Sequence, residues 1–203
     1  MGASAKSGLS RRQILGGGVF FSLFPALSLS AWAAPAPASK VLRLRNLHTE
    51  ELLDVVYWRG TYLREGLDAI NKFMRDYRTG EIFPMDRRLL DQLYELSQRL
   101  NMTSDHRFEI ISGFRAPKTQ AMLATLGDKT QGNITYHMAG RAIDLRVPKI
   151  PLEKVYRTAL EMKAGGVGYY PRPLDNFIHL DRGSVRTWTN NAEEPQGKAK
   201  NSS

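Results

Sequence analysis

The chain contains no cysteine, and that absence constrains it more than any residue it has. Without thiols there are no disulfides, no thiolate metal sites and no cysteine nucleophiles. The fold must rest on an ordinary apolar core, which about 150 residues can supply. Any metal must be held by histidine and carboxylate.

The two ends read as appendages to such a core. Ser10-Arg11-Arg12-Gln13-Ile14-Leu15 precedes an apolar stretch over 19–29, and Gly16, Gly17, Gly18 and Pro25 break up the region. The stretch is too short for a comfortable membrane span. It ends at Ala31-Trp32-Ala33, a small-x-small pattern open to signal peptidase after Ala33. Paired arginines before a mildly apolar, glycine-containing core read as a twin-arginine export signal, with an ordinary secretory signal as the alternative. The expected organisation is an address over 1–33, a Pro/Ala linker over 34–40, a folded domain over 41–188 and a polar, aperiodic, disordered tail over 189–203. The expected location is the periplasm, with no stable membrane span after cleavage.

Lys6, Arg11 and Arg12 are the only charges in residues 1–33, so the formal charge of +9 falls to +6 without them. A positive surface suits an anionic polymer, and nucleic acid is one. Export argues against nucleic acid and for a cell envelope with acidic stem peptides and lipids. Basic residues such as Arg43, Arg64, Arg87 and Arg157 are scattered, as on a solvated surface.

Periodicity gives an α+β class. Val41-Leu42-Arg43-Leu44-Arg45 alternates as a strand, and Leu52 to Tyr57 forms a second, joined as a hairpin through His48-Thr49-Glu50. Leu63, Leu67, Ile70, Met74 and Tyr77 fall at helical spacing, with Gly80 as the stop. Asp86 caps a second helix with the stripe Leu89, Leu93, Leu96, Leu100. A strand over 108–111 then runs into Ser112-Gly113-Phe114-Arg115, and a short helix follows Pro117. A polar, mobile loop is expected over 127–136, and a strand over 142–147. Pro151 opens a helix closed by Gly165-Gly166, and two short strands follow at 167–170 and 176–181. Helices early and strands later suggest a small antiparallel sheet flanked by helices.

Of four histidines, His137 lies seven residues before Asp144, and His179 lies on a strand beside Asp181. Catalytic zinc takes three protein ligands and leaves a fourth position open. Two histidines and one aspartate meet that count. By spacing alone, a hydrogen-bonded surface His137 and a buried, satisfied His179 fit equally well. His48, in the hairpin turn, and His106, after Ser104-Asp105, read as structural or exposed.

The flanking residues add a resemblance. His137-Met138-Ala139-Gly140-Arg141-Ala142-Ile143-Asp144 matches the H-x-x-G-x-A-x-D pattern of the metallopeptidase superfamily of zinc D-Ala-D-Ala carboxypeptidases, lysostaphin-type enzymes and the hedgehog signalling domain. The glycine allows a tight turn, and small side chains leave room beside a metal. Ser112-Gly113-Phe114-Arg115 resembles the S-G-[YF]-R segment, and Phe177-Ile178-His179-Leu180-Asp181 the strand of the last ligand. From Asn46-Leu47-His48-Thr49 through Arg75-Asp76-Tyr77-Arg78 and Ala164-Gly165-Gly166-Val167-Gly168-Tyr169-Tyr170-Pro171 to Trp188, the chain is most similar to the exported murein endopeptidase K type.

That resemblance implies a zinc endopeptidase acting on peptidoglycan cross-links, at bonds involving meso-diaminopimelate, with stem peptides as partners. It implies His137, Asp144 and His179 as metal ligands and Arg115 as the arginine that binds substrate and stabilises transition-state charge. A D,D- or L,D-carboxypeptidase and an inactive zinc-bound wall-binding domain are the alternatives. The chain departs from better-known relatives before the last histidine, where it has Asn176 and Phe177 in place of an acid or a histidine. The general base then falls to Asp181, which on a regular strand shares a face with His179 about 7 Å along; orienting that histidine is its other possible role. Asp175 has no such geometry. Tyr169 and Tyr170 read as cleft-lining or packing residues.

Overall fold

Alternation in the first strand sends Leu42 and Leu44 to one side, and both are buried. In the computed structural model, which describes residues 39–125, 135–171 and 175–190, β1 (Lys40–Asn46) pairs antiparallel with β2 (Leu52–Trp58). Asn46 closes the turn between them: its Oδ1 accepts from the backbone N–H groups of His48 and Thr49 at 2.8 and 3.1 Å. The predicted hairpin is present.

The two apolar stripes become α1 (Arg64–Phe73) and α2 (Arg87–Arg99), with α1 ending at Phe73, seven residues before the expected stop at Gly80. The Asp86 side chain caps α2 by accepting from the Arg88 N–H at 2.8 Å, one of the orphan donors of a helix start. Leu89, Leu93 and Leu96 are fully buried, each side chain contributing about 1.5–3 kcal/mol by leaving water. The hydroxyls of Tyr57 and Tyr62 donate to Asp91 at 3.0 and 2.5 Å, and Lys40 pairs with the same carboxylate at 2.6 Å, fastening the hairpin to α2.

The remaining elements are β3 (Phe108–Ser112), α3 (Pro117–Thr125), β4 (Ala142–Arg146), α4 (Leu152–Glu161), β5 (Gly166–Tyr170), β6 (Phe177–Asp181) and β7 (Arg186–Thr189). They complete one seven-stranded sheet in the order β2-β1-β3-β4-β6-β5-β7. The α+β class holds, but the sheet is larger than expected and mixed. β1 pairs parallel with β3, and β5 with β7, because in each case the chain crosses over through other elements before returning to the sheet. Two residues of the tail expected from 189 are ordered instead, since Thr189 belongs to β7 and the Asn190 N–H donates to the Tyr169 carbonyl at 2.9 Å; the rest of that tail lies outside the described residues. The mobile loop expected over 127–136 lies outside the described residues except for Thr135 and Tyr136, as do the leader and most of the linker.

Strand alternation divides the sheet by function. Ile143, Leu145, Val167, Ile178 and Leu180 are buried with the helical core, where α2 packs on β1 and on α4, and α4 packs on β5 and β6. Their sequence neighbours on β4, β5 and β6 face the other way. Those neighbours include Asp144, Gly168 and His179.

Candidate metal centre

Five adjacent strands contribute to one register row: Ser112 on β3, Asp144 on β4, His179 on β6, Gly168 on β5 and Trp188 on β7. Residues in register stand on the same face of a sheet. Two residues along the strands, the same face carries a second row of Ala142, Asp181, Gly166 and Arg186. The candidate chemistry sits in the first row and its support in the second.

His137 reaches the row from the turn that leads into β4. Gly140 makes this turn possible: its N–H donates to the His137 carbonyl at 3.1 Å, and its φ of +64° is one that side-chain-bearing residues rarely adopt. A Cβ there would also lie 2.3 Å from the Pro84 carbonyl oxygen. The Gly140 carbonyl accepts from the Asp86 N–H at 2.8 Å, locking the turn to the start of α2.

The imidazoles are oriented through their outer nitrogens. His137 Nδ1 donates to the Gly113 carbonyl at 2.7 Å, so its Nε2 carries the lone pair. That Nε2 lies 3.3 Å from His179 Nδ1 and 3.3 Å from Asp144 Oδ2. His179 Nδ1 lies 2.8 Å from Asp144 Oδ1, and its Nε2 donates to Asp181 Oδ2 at 3.1 Å. One atom from each of His137, Asp144 and His179 falls within 4.8 Å of the others. Two nitrogens and one carboxylate, converging with the outer imidazole nitrogens already bonded, fit a zinc ion.

The electrostatics suit a cation. Burial pushes His137 down, and the Asp144 charge only partly offsets that. Burial also opposes the charge of Asp144, but His137 and Arg115 beside it hold its carboxyl far below the ordinary range. His179 is buried too, yet its hydrogen bonds to Asp144 and Asp181 lift it to about 8.

The Ser112-Gly113-Phe114-Arg115 segment walls the site. Arg115 Nε donates to Ser112 Oγ at 2.7 Å, and its Nη2 donates to Asp144 Oδ2. The Phe114 ring stacks on Phe83 at 5.0 Å, while the Arg115 N–H points at the His137 carbonyl. Buried Asp76, from the Arg75-Asp76-Tyr77-Arg78 motif, accepts from the Ala116 N–H at 2.8 Å and the Arg78 N–H at 2.9 Å. It thereby fixes where this segment leaves the sheet.

Asp181 shares the face of His179, as strand geometry predicts, but it has no exposed surface. Its Oδ1 accepts from Gly166 N, Gly183 N and Arg186 Nη1 at 3.2, 2.7 and 3.0 Å. Its Oδ2 accepts from His179 Nε2 and from Arg186 Nη2 at 2.6 Å. Against the cost of burial, the His179 and Arg186 bonds keep this carboxyl well below the ordinary carboxylate range. It lies behind His179, on the nitrogen turned away from the cluster.

The other sequence candidates stand apart from the cluster. His48 stacks on Tyr77 at 3.9 Å, and His106 Nδ1 meets Thr103 Oγ1 at 2.9 Å. Tyr169 stacks on Tyr156, while the Tyr170 hydroxyl accepts from Trp188 Nε1 at 2.8 Å. Asp175 is exposed in the turn before β6. Sequence reasoning missed Arg186. Its signal was the pairing of Gly166 and Gly168 with a later Arg-x-Trp, which becomes readable only once β7 is known to lie beside β5.

A histidine–aspartate–histidine cluster on the sheet face turned away from the helical core is the arrangement that the resemblance to H-x-x-G-x-A-x-D metallopeptidases implies. A family model described as "Peptidoglycan L,D-endopeptidase MepK" matches residues 34–188. The chain is 37% identical over 183 residues to the peptidoglycan L,D-endopeptidase MepK of Escherichia coli strain K12, covering 88% of this chain and 97% of that protein. It is 35% identical over 168 residues to a probable peptidoglycan L,D-endopeptidase MepK of Haemophilus influenzae, covering 82% and 87%. The chain therefore belongs to the peptidoglycan L,D-endopeptidase MepK family of peptidases.

Proposed function

We propose that the chain is a zinc-dependent endopeptidase that hydrolyses peptide cross-links of bacterial peptidoglycan at bonds involving meso-diaminopimelate. The observation that carries this reading is the convergence of His137, Asp144 and His179 in one row of the sheet, in a chain whose family is described by that activity. His137 Nε2, His179 Nδ1 and the Asp144 carboxylate would hold the ion. Zinc in such a site acts as a Lewis acid, polarising a carbonyl and lowering the pKa of water to about 7.

The protein's own groups do the rest. The outer hydrogen bonds to Gly113 and Asp181 fix the two imidazoles with their lone pairs inward. Arg115, tethered by Ser112, holds a positive charge beside the cluster, where it stabilises negative charge developing on the scissile carbonyl oxygen. Asp181 acts as a positioning residue and not as the general base, since both oxygens are occupied and the intervening imidazole separates it from the ligand atoms. The leader and the positive charge of the remaining chain support export to the periplasm through the twin-arginine route. Among the described residues, no helix is long and apolar enough to cross a membrane.

Digestion of purified sacculi followed by muropeptide separation tests this reading. Loss of dimers with gain of monomers, absent for His137→Ala, is the expected result. Shortened stem peptides with intact cross-links would make the protein a carboxypeptidase. No hydrolysis beyond that of the variant would make it a binding domain.

A further inference from the structure

We propose that Arg186 is a positioning residue for the metal ligand His179, acting through Asp181, and that β7 exists to deliver it. The inference rests on the metal assignment proposed above. Arg186 grips Asp181 with both arms of its guanidinium, Nη1 on Oδ1 at 3.0 Å and Nη2 on Oδ2 at 2.6 Å. Such a two-point grip fixes the plane of a carboxylate as well as its charge. The same Oδ2 receives the His179 Nε2–H at 3.1 Å. The orientation of the imidazole, and the inward aim of its Nδ1, is therefore set by a carboxylate whose own orientation Arg186 sets.

The path from β7 to His179 is built into β5. Arg186 and Trp188 stand in register with Gly166 and Gly168. A Cβ on Gly166 would lie 2.4 Å from Arg186 Nη1 and 2.5 Å from Asp181 Oδ2. A Cβ on Gly168 would lie 2.6 Å from Trp188 Cε2. With both side chains missing, β7 reaches across β5 to β6. The guanidinium arrives at Asp181, and the Trp188 ring settles 5.2 Å from the His179 ring. Trp188 is pinned there by its bond to the Tyr170 hydroxyl. Arg186 is in turn seated over the rings of Tyr136 and Trp188 at 5.3 and 4.9 Å. Tyr136 immediately precedes His137, so the same arginine touches the approach to a second ligand.

A charge-neutral, single-arm or shorter side chain at 186 leaves Asp181 buried without its fork, and the imidazole loses its fixed backing. Partners of this kind are worth about 10- to 100-fold in metal affinity. The test measures zinc affinity by chelator competition at one pH for the full chain, Arg186→Gln and Arg186→Lys, together with kinetics at limiting and saturating zinc. Arg186→Gln is expected to bind zinc about 10- to 100-fold more weakly, and Arg186→Lys to fall between it and the wild type. Saturating zinc should restore turnover with KM unchanged. Equal affinity of wild type and Arg186→Gln within twofold would overturn the proposal, as would a defect confined to KM that zinc does not relieve. If Arg186→Gln does not fold, Arg186→Lys decides, and wild-type affinity in that variant overturns the proposal. A wild type that binds no zinc at all removes the metal assignment itself.

Discussion

Both nitrogens of His179 face a carboxylate, Asp144 at 2.8 Å and Asp181 at 3.1 Å, and this sets the pH behaviour of the site. Without metal the imidazole is lifted to about 8, above its ordinary value of about 6.5. Its protonation stabilises the metal-free fold fully below about pH 6.5, and that contribution is lost as pH rises through about 8. Zinc held as proposed would need the Nδ1 lone pair, so its binding should displace a proton and its affinity weaken as pH falls below about 8. Calorimetry in buffers of different ionisation heat should show between one and two protons released per zinc near about pH 7, from His179 and the zinc-bound water together, falling to about one near about pH 9, where His179 has none left to give. In the proposed mechanism Arg115 contributes differently, its charge stabilising the reacting carbonyl oxygen. Arg115→Gln should lower kcat about 10²- to 10³-fold while zinc content, measured by metal analysis, stays near one per chain. That His137, Asp144 and His179 converge, with Arg115 beside them, was legible because each lies in a short local motif. The role of Asp181 was only half legible. Strand alternation put it beside His179, but only tertiary contacts show that Arg186, Gly166 and Gly183 occupy its oxygens.

At the scale of elements, the site depends on how closely β7 approaches β6 across β5. Gly168 is the register partner of both His179 and Trp188. Gly168→Ala would set its Cβ against the indole and force Trp188 off the imidazole. The expected cost is about 1–3 kcal/mol of stability, seen as a lower denaturation midpoint with altered tryptophan fluorescence. In sequence, Gly166 and Gly168 read as the end of a helix and the interior of a strand, because spacing along the chain says nothing about a neighbour that arrives twenty residues later. β7 itself was missed for a related reason. Arg-Thr-Trp-Thr is short and largely exposed, so it has no buried alternation to betray it. The leucine stripe of α2 and the β1–β2 hairpin were read correctly, since their burial follows a local period, whereas α1 was read too long because Met74 and Tyr77 continue its apolar spacing beyond its end at Phe73. The mixed character of the sheet was not readable, because the two parallel pairings join segments brought together by crossovers.

For the whole molecule, one face of the sheet carries stability and the other carries chemistry. The apolar residues of β4, β5 and β6 turn toward the helical core, while their alternating partners form the two rows. The division places the chain's last described strand inside the functional unit. A chain ended after Val185 lacks Arg186 and Trp188, and it should lose zinc affinity by at least about 10-fold in chelator competition. A chain ended after Asn190 retains β7 and should bind zinc as the full chain does. Titrating zinc into metal-free protein acting on a purified cross-linked muropeptide dimer decides whether His137, Asp144 and His179 hold a zinc ion on which cross-link cleavage depends. Monomer release should rise with added zinc, level off at one equivalent, and be absent in Asp144→Asn at every zinc level. Cleavage that is indifferent to zinc, or equal in that variant, would contradict the assignment.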